Sequence, residues 1–140
     1  MVGYELFETG MKLIAPKKGR YFAGKRPTLE EIANCPLIVF SLSGSIDPFL
    51  EKRFTEEKLS PNIIMTHNNF ASVKKYVAKG MGVALLSGYA VSEEDRKNID
   101  VFSMDHSFLR RKYGIILRKR KYISPAVKAF IQTINPDIQL

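Results

Sequence analysis

The chain has 140 residues, 45% of them hydrophobic, and it carries a formal net charge of +8. This length fits one ordinary domain or two small lobes, and no apolar run reaches the roughly 18 residues that a transmembrane helix needs. The N-terminus lacks the basic start and apolar stretch of a signal peptide, and the single cysteine, Cys35, excludes an internal disulfide. We therefore expect no membrane span and a reducing, cytoplasmic location.

The positive charge favours anionic partners, although basic side chains that merely solvate the surface explain it equally well. Basic residues concentrate in two segments, residues 12–26 and 110–121, and each has the pattern of a strand with basic ends. The sequence contains no zinc-finger, RNP or basic-zipper signature. Sequence-specific DNA reading by this chain alone is therefore not predicted.

The first third of the chain predicts two strands and a short helix. Residues 11–16 form an apolar run that ends at a proline, which is typical of a buried strand. Thr28 and Glu31 have the spacing of a capping box, in which Thr28 accepts a hydrogen bond from the backbone N–H of Glu31. A short helix is therefore expected after Thr28, and the apolar, β-branched residues 36–41 predict the next strand.

The middle of the chain continues this alternation. Asp47 is a favourable N-cap and Pro48 suits the first helical position, so a second helix is expected there. Residues 63–65 predict a strand. Residues 70–80 predict an amphipathic helix that stops at Gly80, because glycine readily adopts the left-handed conformation of a helix end.

The last third predicts three strands and a final helix. Residues 82–87 are apolar on both faces, as in the middle of a parallel sheet. A short helix or turn over residues 92–98 precedes strands over residues 99–104 and 112–119. The final helix covers residues 124–134. Its predicted apolar face consists of Val127, Phe130 and Ile131.

The alternation of strands and helices predicts an α/β fold, with a mostly parallel sheet flanked by helices on both faces. Ligands of such folds bind at the carboxyl ends of strands, near helix N-termini. Polar turns follow the strands predicted over residues 36–41 and 63–65. These turns contain Ser41, Ser43, Gly44 and Ser45 in the first, and Thr66, His67, Asn68 and Asn69 in the second. We expect the two turns to line one cleft.

The first turn offers small hydroxyls and free backbone N–H groups beside a helix start. This chemistry suits an oxyanion or a carboxylate. The turn is not a Walker loop, because the lysine and the spacing of that motif are absent. An ordinary loop rich in turn-forming residues is the alternative, and the sequence leaves both interpretations open.

The second turn has more polar side chains than a helix cap requires. One cap needs one side chain, so we interpret Asn68 or Asn69 as the cap of the helix that begins near Phe70 and the others as binding groups. His67 has no partner in a catalytic or zinc-binding sequence pattern, and neither has His106. No catalytic residue, metal site or cofactor is predicted.

Four segments of the chain carry a resemblance to a known family. They are LIAPKKGRYFAGKRPTLEEIANCPLIVF, FLEKRFTEEKLSPNIIM, SVKKYVAKGMGVALLSGYAV and YGIILRKRKYISPAVKAFIQTI, of which the third is the most specific. In this order and at this spacing they resemble the effector-binding domain of LysR-type transcriptional regulators. The segments VKKYVAKGMGVALLS and DVFSMDH are most similar to the CysB-like members of that family.

The resemblance implies a type 2 periplasmic-binding-protein-like fold, in which two crossing strands join two α/β lobes and a small effector binds between them. Mainly the second lobe would be present. By this resemblance residues 16–103 form that lobe, and residues 1–15 and 104–140 form the hinge strands and the last helix of the first lobe. The family's N-terminal DNA-binding domain and the start of the first lobe would lie outside this chain.

The resemblance also implies partners and a function. Residues 41–45 and 66–70 would face the cleft, which adds Phe70 to the predicted site. The expected partners are a small anionic effector (sulfate-like, an acylated amino acid or a carboxylate) and further copies of the chain in a homo-oligomer, with DNA contacted only through the N-terminal domain. The implied function is non-enzymatic: sensing a metabolite and controlling DNA binding of the intact protein.

Two other functions compete with this one. A solute-binding protein of a transport system for a small anion would require an export signal, and none is visible. A small α/β enzyme acting on an anionic substrate would require a nucleophile or an acid/base pair at a strand end. Only His67 is placed for that chemistry.

Overall fold

The computed structural model of the chain describes residues 1–18, 21–104 and 110–140, so His106 lies outside the described residues. The chain divides into two compact units. The larger unit comprises Thr9–Arg110, and the smaller unit combines Met1–Glu8 with Arg111–Leu140. The lobe boundaries at residues 16 and 103 stay a prediction.

The larger unit is built on a mostly parallel sheet, which confirms the predicted fold class. Its strands are β1 (Val2–Pro16), β2 (Pro36–Phe40), β3 (Asn62–His67), β4 (Val83–Ser87) and β5 (Ile99–Ser103). The first residues of β1 belong to the smaller unit. Their order is β3-β2-β4-β1-β5. β2 pairs in parallel with β3 and β4, whereas β1 runs antiparallel to β4 and β5. The carboxyl ends of β2, β3 and β4 therefore lie along one edge of the sheet.

The helices of the larger unit begin where their caps predict. They are α1 (Leu29–Ala33), α2 (Pro48–Glu56) and α3 (Phe70–Ala78). The Thr28 hydroxyl oxygen accepts from the N–H of Glu31 at 3.2 Å, and the hydroxyl donates to the Glu31 carboxylate at 3.3 Å. Asp47 accepts from the N–H of Phe49 at 2.9 Å. Gly80 follows α3 with a φ of 84°, the left-handed conformation expected at the end of this helix.

The core of the larger unit lies on both faces of the sheet, because successive residues of a strand point in opposite directions. Leu13 and Leu37 pack on one face with apolar side chains of α1 and α2, among them Phe54. Ile14 and Ile38 pack on the other face with side chains of α3. Helices therefore cover both faces of the sheet.

The smaller unit contains β6 (Arg110–Leu117), which pairs with β1, and α4 (Pro125–Ile134). The ring of Phe7 stacks on that of Tyr113 with 5.0 Å between centroids. This contact fixes the first part of β1 against β6, two segments that are far apart in the sequence.

The apolar face predicted for α4 is only partly buried. Ile131 is buried, whereas Phe130 is 66% exposed and Val127 and Ile134 are exposed as well. On β6 of the same unit, Ile116 is also exposed. Large apolar side chains thus remain in contact with solvent in the smaller unit, and such surfaces commonly bind other apolar surfaces.

The described ranges contain no helix that is long and apolar enough to cross a membrane. Within the same ranges, no group of histidine, cysteine and carboxylate side chains could hold a metal ion. The buried Cys35 thiol donates to the carbonyl of Glu31 at 3.2 Å. Burial and the nearby charge of Glu31 raise the pKa of this thiol, so it stays protonated and unreactive.

A 3-10 turn, Gly88–Ala90, follows β4, and a further 3-10 turn spans Glu94–Lys97. An ion pair joins this second turn to α3. Lys74 Nζ lies 3.0 Å from Asp95 Oδ2, and the same oxygen accepts from the N–H of Ser92 at 2.8 Å. Burial alone would raise the pKa of Asp95. The hydrogen bonds from Ser92 and Lys74 and the charge of Lys74 outweigh it and lower the pKa.

We expect Asp95→Asn to lower the free energy of unfolding by about 1.5–3 kcal/mol near neutral pH, because it removes a charged hydrogen-bond acceptor. Since the pKa of Asp95 is lower in the folded chain than in the unfolded chain, this stabilisation is complete above the unfolded-state pKa. It is lost as the pH falls through the folded-state pKa. Urea unfolding at neutral and acid pH measures the difference between the two proteins, which should shrink on acidification.

The control for this prediction is Glu94→Gln. It removes an exposed pair with Lys97, whose charged atoms are 3.9 Å apart, so stability should change by less than about 0.5 kcal/mol. Equal decreases in the free energy of unfolding of the two variants would contradict a specific role of Asp95.

Candidate functional site

The carboxyl ends of β2 and β3 bring the two predicted polar turns together. The boundary predicted after residue 65 was wrong, because Thr66 and His67 pair with β2 as the last residues of β3. In the parallel register Phe40 lies opposite His67. The N–H of Ser41 donates to the carbonyl of His67 at 2.9 Å. This backbone hydrogen bond fixes the start of the serine-rich turn against the end of β3.

A cavity of about 250 Å³ opens between the two turns. It is lined by Ser41, Leu42, Gly44, Thr66, His67 and Asn68. All of these except Leu42 belong to the site predicted from the sequence. Leu42 was missed because an exposed leucine in a polar turn gives no chemical signal. The other predicted residues, Ser43, Ser45, Asn69 and Phe70, are not among its lining residues.

The serine-rich turn is held by hydrogen bonds among its own residues. The N–H of Ser43 donates to the hydroxyl oxygen of the buried Ser41 at 3.3 Å. The hydroxyl oxygens of Ser43 and Ser45 are 3.0 Å apart. Gly44 has a φ of 80°, a left-handed conformation that glycine adopts without strain. Ser41 and Gly44 of this turn line the cavity, and the hydrogen bonds within the turn hold them in place.

Asn69 is the cap of α3, which decides between the two candidates that the sequence left open. Its side-chain oxygen accepts from the N–H of Ser72 at 3.0 Å, and its backbone is extended. Asn68 lies one residue earlier, is exposed and lines the cavity. The helix cap therefore uses one of the polar side chains of this turn and leaves Thr66 and Asn68 unused by the cap.

His67 is oriented by two contacts. Its Nδ1 accepts from the backbone N–H of Asn69 at 3.2 Å. Its ring meets the ring of Tyr76 edge-on, with 5.7 Å between centroids. The imidazole is half-buried, so its position at the cavity is set by the end of β3 and by α3.

Aromatic side chains lie at the same edge of the sheet. Phe70 stacks on Phe40 with 4.0 Å between ring centroids and meets Tyr89 edge-on at 5.9 Å. Tyr89 was missed in the sequence, although it follows β4 and therefore the third parallel strand that ends at this edge. These rings form an apolar wall beside the polar turns.

The polar groups lining the cavity are hydroxyls, backbone amides, a carboxamide and an imidazole. Among the described lining residues none is a carboxylate, a lysine or an arginine. Such a set can donate hydrogen bonds to an acceptor on a ligand. Within the described residues the lining also offers no nucleophile hydrogen-bonded to a general base, which hydrolytic chemistry would need.

A larger groove of about 720 Å³ runs along α3 in the same unit. Lys74, Lys75 and Lys79 line it together with Asp95, which pairs with Lys74. It reaches Ile99 at the start of β5 and so lies away from the carboxyl ends of the strands. Since ligands of parallel sheets bind at the carboxyl ends, the smaller cavity is the better candidate site.

The family is shown by a match along almost the whole chain. The family profile described as the LysR substrate binding domain matches residues 1–138. The chain therefore belongs to this family, and the predicted family is confirmed.

Curated relatives are transcriptional regulators. The HTH-type transcriptional activator CmpR of Synechocystis sp. is 26% identical over 125 residues, which are 89% of this chain and 41% of CmpR. The HTH-type transcriptional regulator CysB of Burkholderia cenocepacia is 21% identical over 138 residues, 99% of this chain and 44% of CysB. This chain spans about two fifths of the length of these relatives.

Solved structures share the fold. The cofactor-binding domain of the Cbl transcriptional regulator superimposes with a TM-score of 0.82 at 22% identity, over 99% of this chain and 60% of that chain. The effector-binding domain of QuiR in complex with shikimate also superimposes with a TM-score of 0.82, at 20% identity, over 95% of this chain and 63% of that chain. The predicted type 2 periplasmic-binding-protein-like fold is confirmed.

We expect Asn69→Ala to lower the free energy of unfolding by about 1 kcal/mol, because it removes the cap of α3. The matched control is Asn68→Ala, which removes the same side chain from the neighbouring exposed position and should cost less than about 0.5 kcal/mol. Urea unfolding of the two variants measures both values. A larger loss for Asn68→Ala would show that the cap assignment is wrong.

Proposed function

We propose that this chain is the effector-binding part of a LysR-type transcriptional regulator that senses a small anionic metabolite. In the intact protein, effector binding would control how the DNA-binding domains contact their operator. The observation that carries the proposal is the cavity between the two polar turns, which offers several hydrogen-bond donors and, in its described lining, no carboxylate.

The chemistry of the cavity supports an anion. Hydroxyl and amide donors from Ser41, Gly44, Thr66 and Asn68 can stabilise a carboxylate or an oxyanion through several hydrogen bonds. The volume of about 250 Å³ suits a small group. The net charge of +8 would draw anions toward the chain.

The relatives support the regulatory part of the proposal. The two curated relatives are transcriptional regulators, and QuiR is a structural neighbour whose effector-binding domain binds shikimate. By analogy, we infer that the larger unit corresponds to the second lobe of an effector domain and that the smaller unit belongs to the first lobe.

We expect Thr66→Ala and Asn68→Ala each to weaken binding of the effector, because each removes one donor to the anion. A thermal-shift screen of the chain against sulfate, thiosulfate, phosphate, nitrate, acylated serine and dicarboxylates identifies an anion that binds. That anion then serves as the probe for the variants. A probe at about 100 times its dissociation constant should add about 2.7 kcal/mol to the free energy of unfolding. Loss of one hydrogen bond to a charged group should raise Kd by about tenfold or more.

The control is Ser60→Ala, an exposed residue outside the cavity, which should leave Kd unchanged. Unchanged binding by both cavity variants would exclude this cavity as the effector site. A flat response to every probe would count against a small-anion effector for this chain.

We also propose that copies of the chain associate through the exposed apolar surface of the smaller unit. Ile116 and Phe130 are more than three-fifths exposed, and Ile134 is nearly half exposed. Burial of such side chains stabilises association by roughly 25 cal/mol per Å² of apolar surface.

We expect the double variant Phe130→Ser, Ile134→Ser to associate less than the original chain. Sedimentation equilibrium over a concentration series measures this, and Tyr89→Ser, an exposed change in the larger unit, is the control. A chain that remains monomeric at high concentration would contradict the proposal.

A further inference from the structure

We propose that His67 is a specificity-determining residue of the cavity, because the backbone N–H of Asn69 occupies Nδ1 of its imidazole and leaves the Nε2–H for the ligand. This inference rests on the proposed function, since it concerns how the same cavity distinguishes one small ligand from another. It adds a defined hydrogen-bonding role to a side chain that otherwise has no chemical partner in the sequence.

The hydrogen bond at Nδ1 decides where the ring carries its hydrogen. A backbone N–H can only donate, so Nδ1 of His67 must accept from the N–H of Asn69 at 3.2 Å. An accepting Nδ1 carries no hydrogen, so the hydrogen of the ring is on Nε2. The second ring nitrogen is therefore a donor, as for histidines whose other nitrogen is held by the backbone.

The donor at Nε2 has no partner within the described residues, where the hydrogen bond at Nδ1 is the only one made by the ring. His67 lines the cavity, and the edge-on contact with Tyr76 limits rotation of the ring. Nε2 is not among the buried side-chain atoms that lack a hydrogen-bond partner, so it is open to solvent. A ligand acceptor that enters the cavity can therefore take its hydrogen bond.

The surroundings of the ring favour an acceptor-only ligand group. Apart from His67, the described residues that line the cavity contribute no titratable side chain, and the ring that packs on the imidazole is a tyrosine. Among these described lining residues there is no carboxylate that could accept a hydrogen bond from a ligand ammonium. We therefore expect a carboxylate or an unprotonated oxyanion to bind, and an amine placed at the same point to be rejected because two donors would face each other.

Two substitutions of His67 distinguish hydrogen-bond donation by Nε2 from the hydrogen bond that Nδ1 accepts from Asn69. Asn in place of His67 puts a side-chain oxygen near the position of Nδ1, so it can still accept from Asn69, but it has no donor near the position of Nε2. Gln in place of His67 reaches the position of Nε2 with an amide N–H. We expect His67→Asn to raise Kd about tenfold and His67→Gln to stay within about threefold of the original protein.

The probes are sulfate and acetate, titrated by calorimetry into the chain and both variants after thermal unfolding has verified that each is folded. Long-range ¹H–¹⁵N spectra of the ring identify which nitrogen carries the hydrogen. We expect Nε2 to carry the hydrogen, and we expect the Nε2 resonance to shift when the anion is added. Addition of methylammonium should not shift the Nε2 resonance.

The outcomes distinguish this inference from the function on which it rests. A hydrogen on Nδ1, or a His67→Asn variant that binds the anions as tightly as the original chain, would overturn the donor role while leaving anion binding intact. Failure of the unmodified chain to bind either anion would overturn both. Weaker binding by His67→Gln than by His67→Asn would show that orientation by Asn69, and not donation by Nε2, is what the ligand requires.

Discussion

The parallel pairing of β2 with β3 and β4 is the constraint on which the candidate site depends. It points three carboxyl ends at the same edge of the sheet, so that turns separated by more than twenty residues become neighbours. The hydrogen bond from Ser41 to the carbonyl of His67 extends this pairing one step beyond the strands. Without that register, the same polar residues would be two unrelated loops.

The core makes the register unambiguous. Leu13 and Leu37 face one layer of helices, and Ile14 and Ile38 face the other. A shift of one residue would turn every one of these side chains to the opposite face, which strongly disfavours slippage. Packing that is distant from the cavity thus determines which residues line it.

The polar segment of residues 66–69, which closes β3 and leads into α3, divides its functions among neighbouring side chains. Asn69 caps α3 through its side chain, and its backbone N–H holds the ring of His67. Thr66 and Asn68 take no part in the cap and line the cavity. One short segment therefore ends a strand, starts a helix and supplies hydrogen-bonding groups, which explains why it contains more polar residues than a cap requires.

The sequence by itself determined the local structure and the family of this protein. The caps at Thr28 and Asp47 and the stop at Gly80 were predicted correctly, because each depends on residues that are adjacent in the chain. The apolar runs and their order also gave the α/β fold, and the family resemblance was confirmed by the match over residues 1–138.

Only the tertiary structure decided how distant segments meet. It showed β1 antiparallel to its neighbours, since an apolar run specifies a strand but not its direction. It showed that Asn69 and not Asn68 is the cap, placed Phe70 against Phe40 and Tyr89, and brought Leu42 to the cavity. It also left most of the apolar face of α4 exposed, because a helical pattern predicts which side chains share a face but not what covers that face.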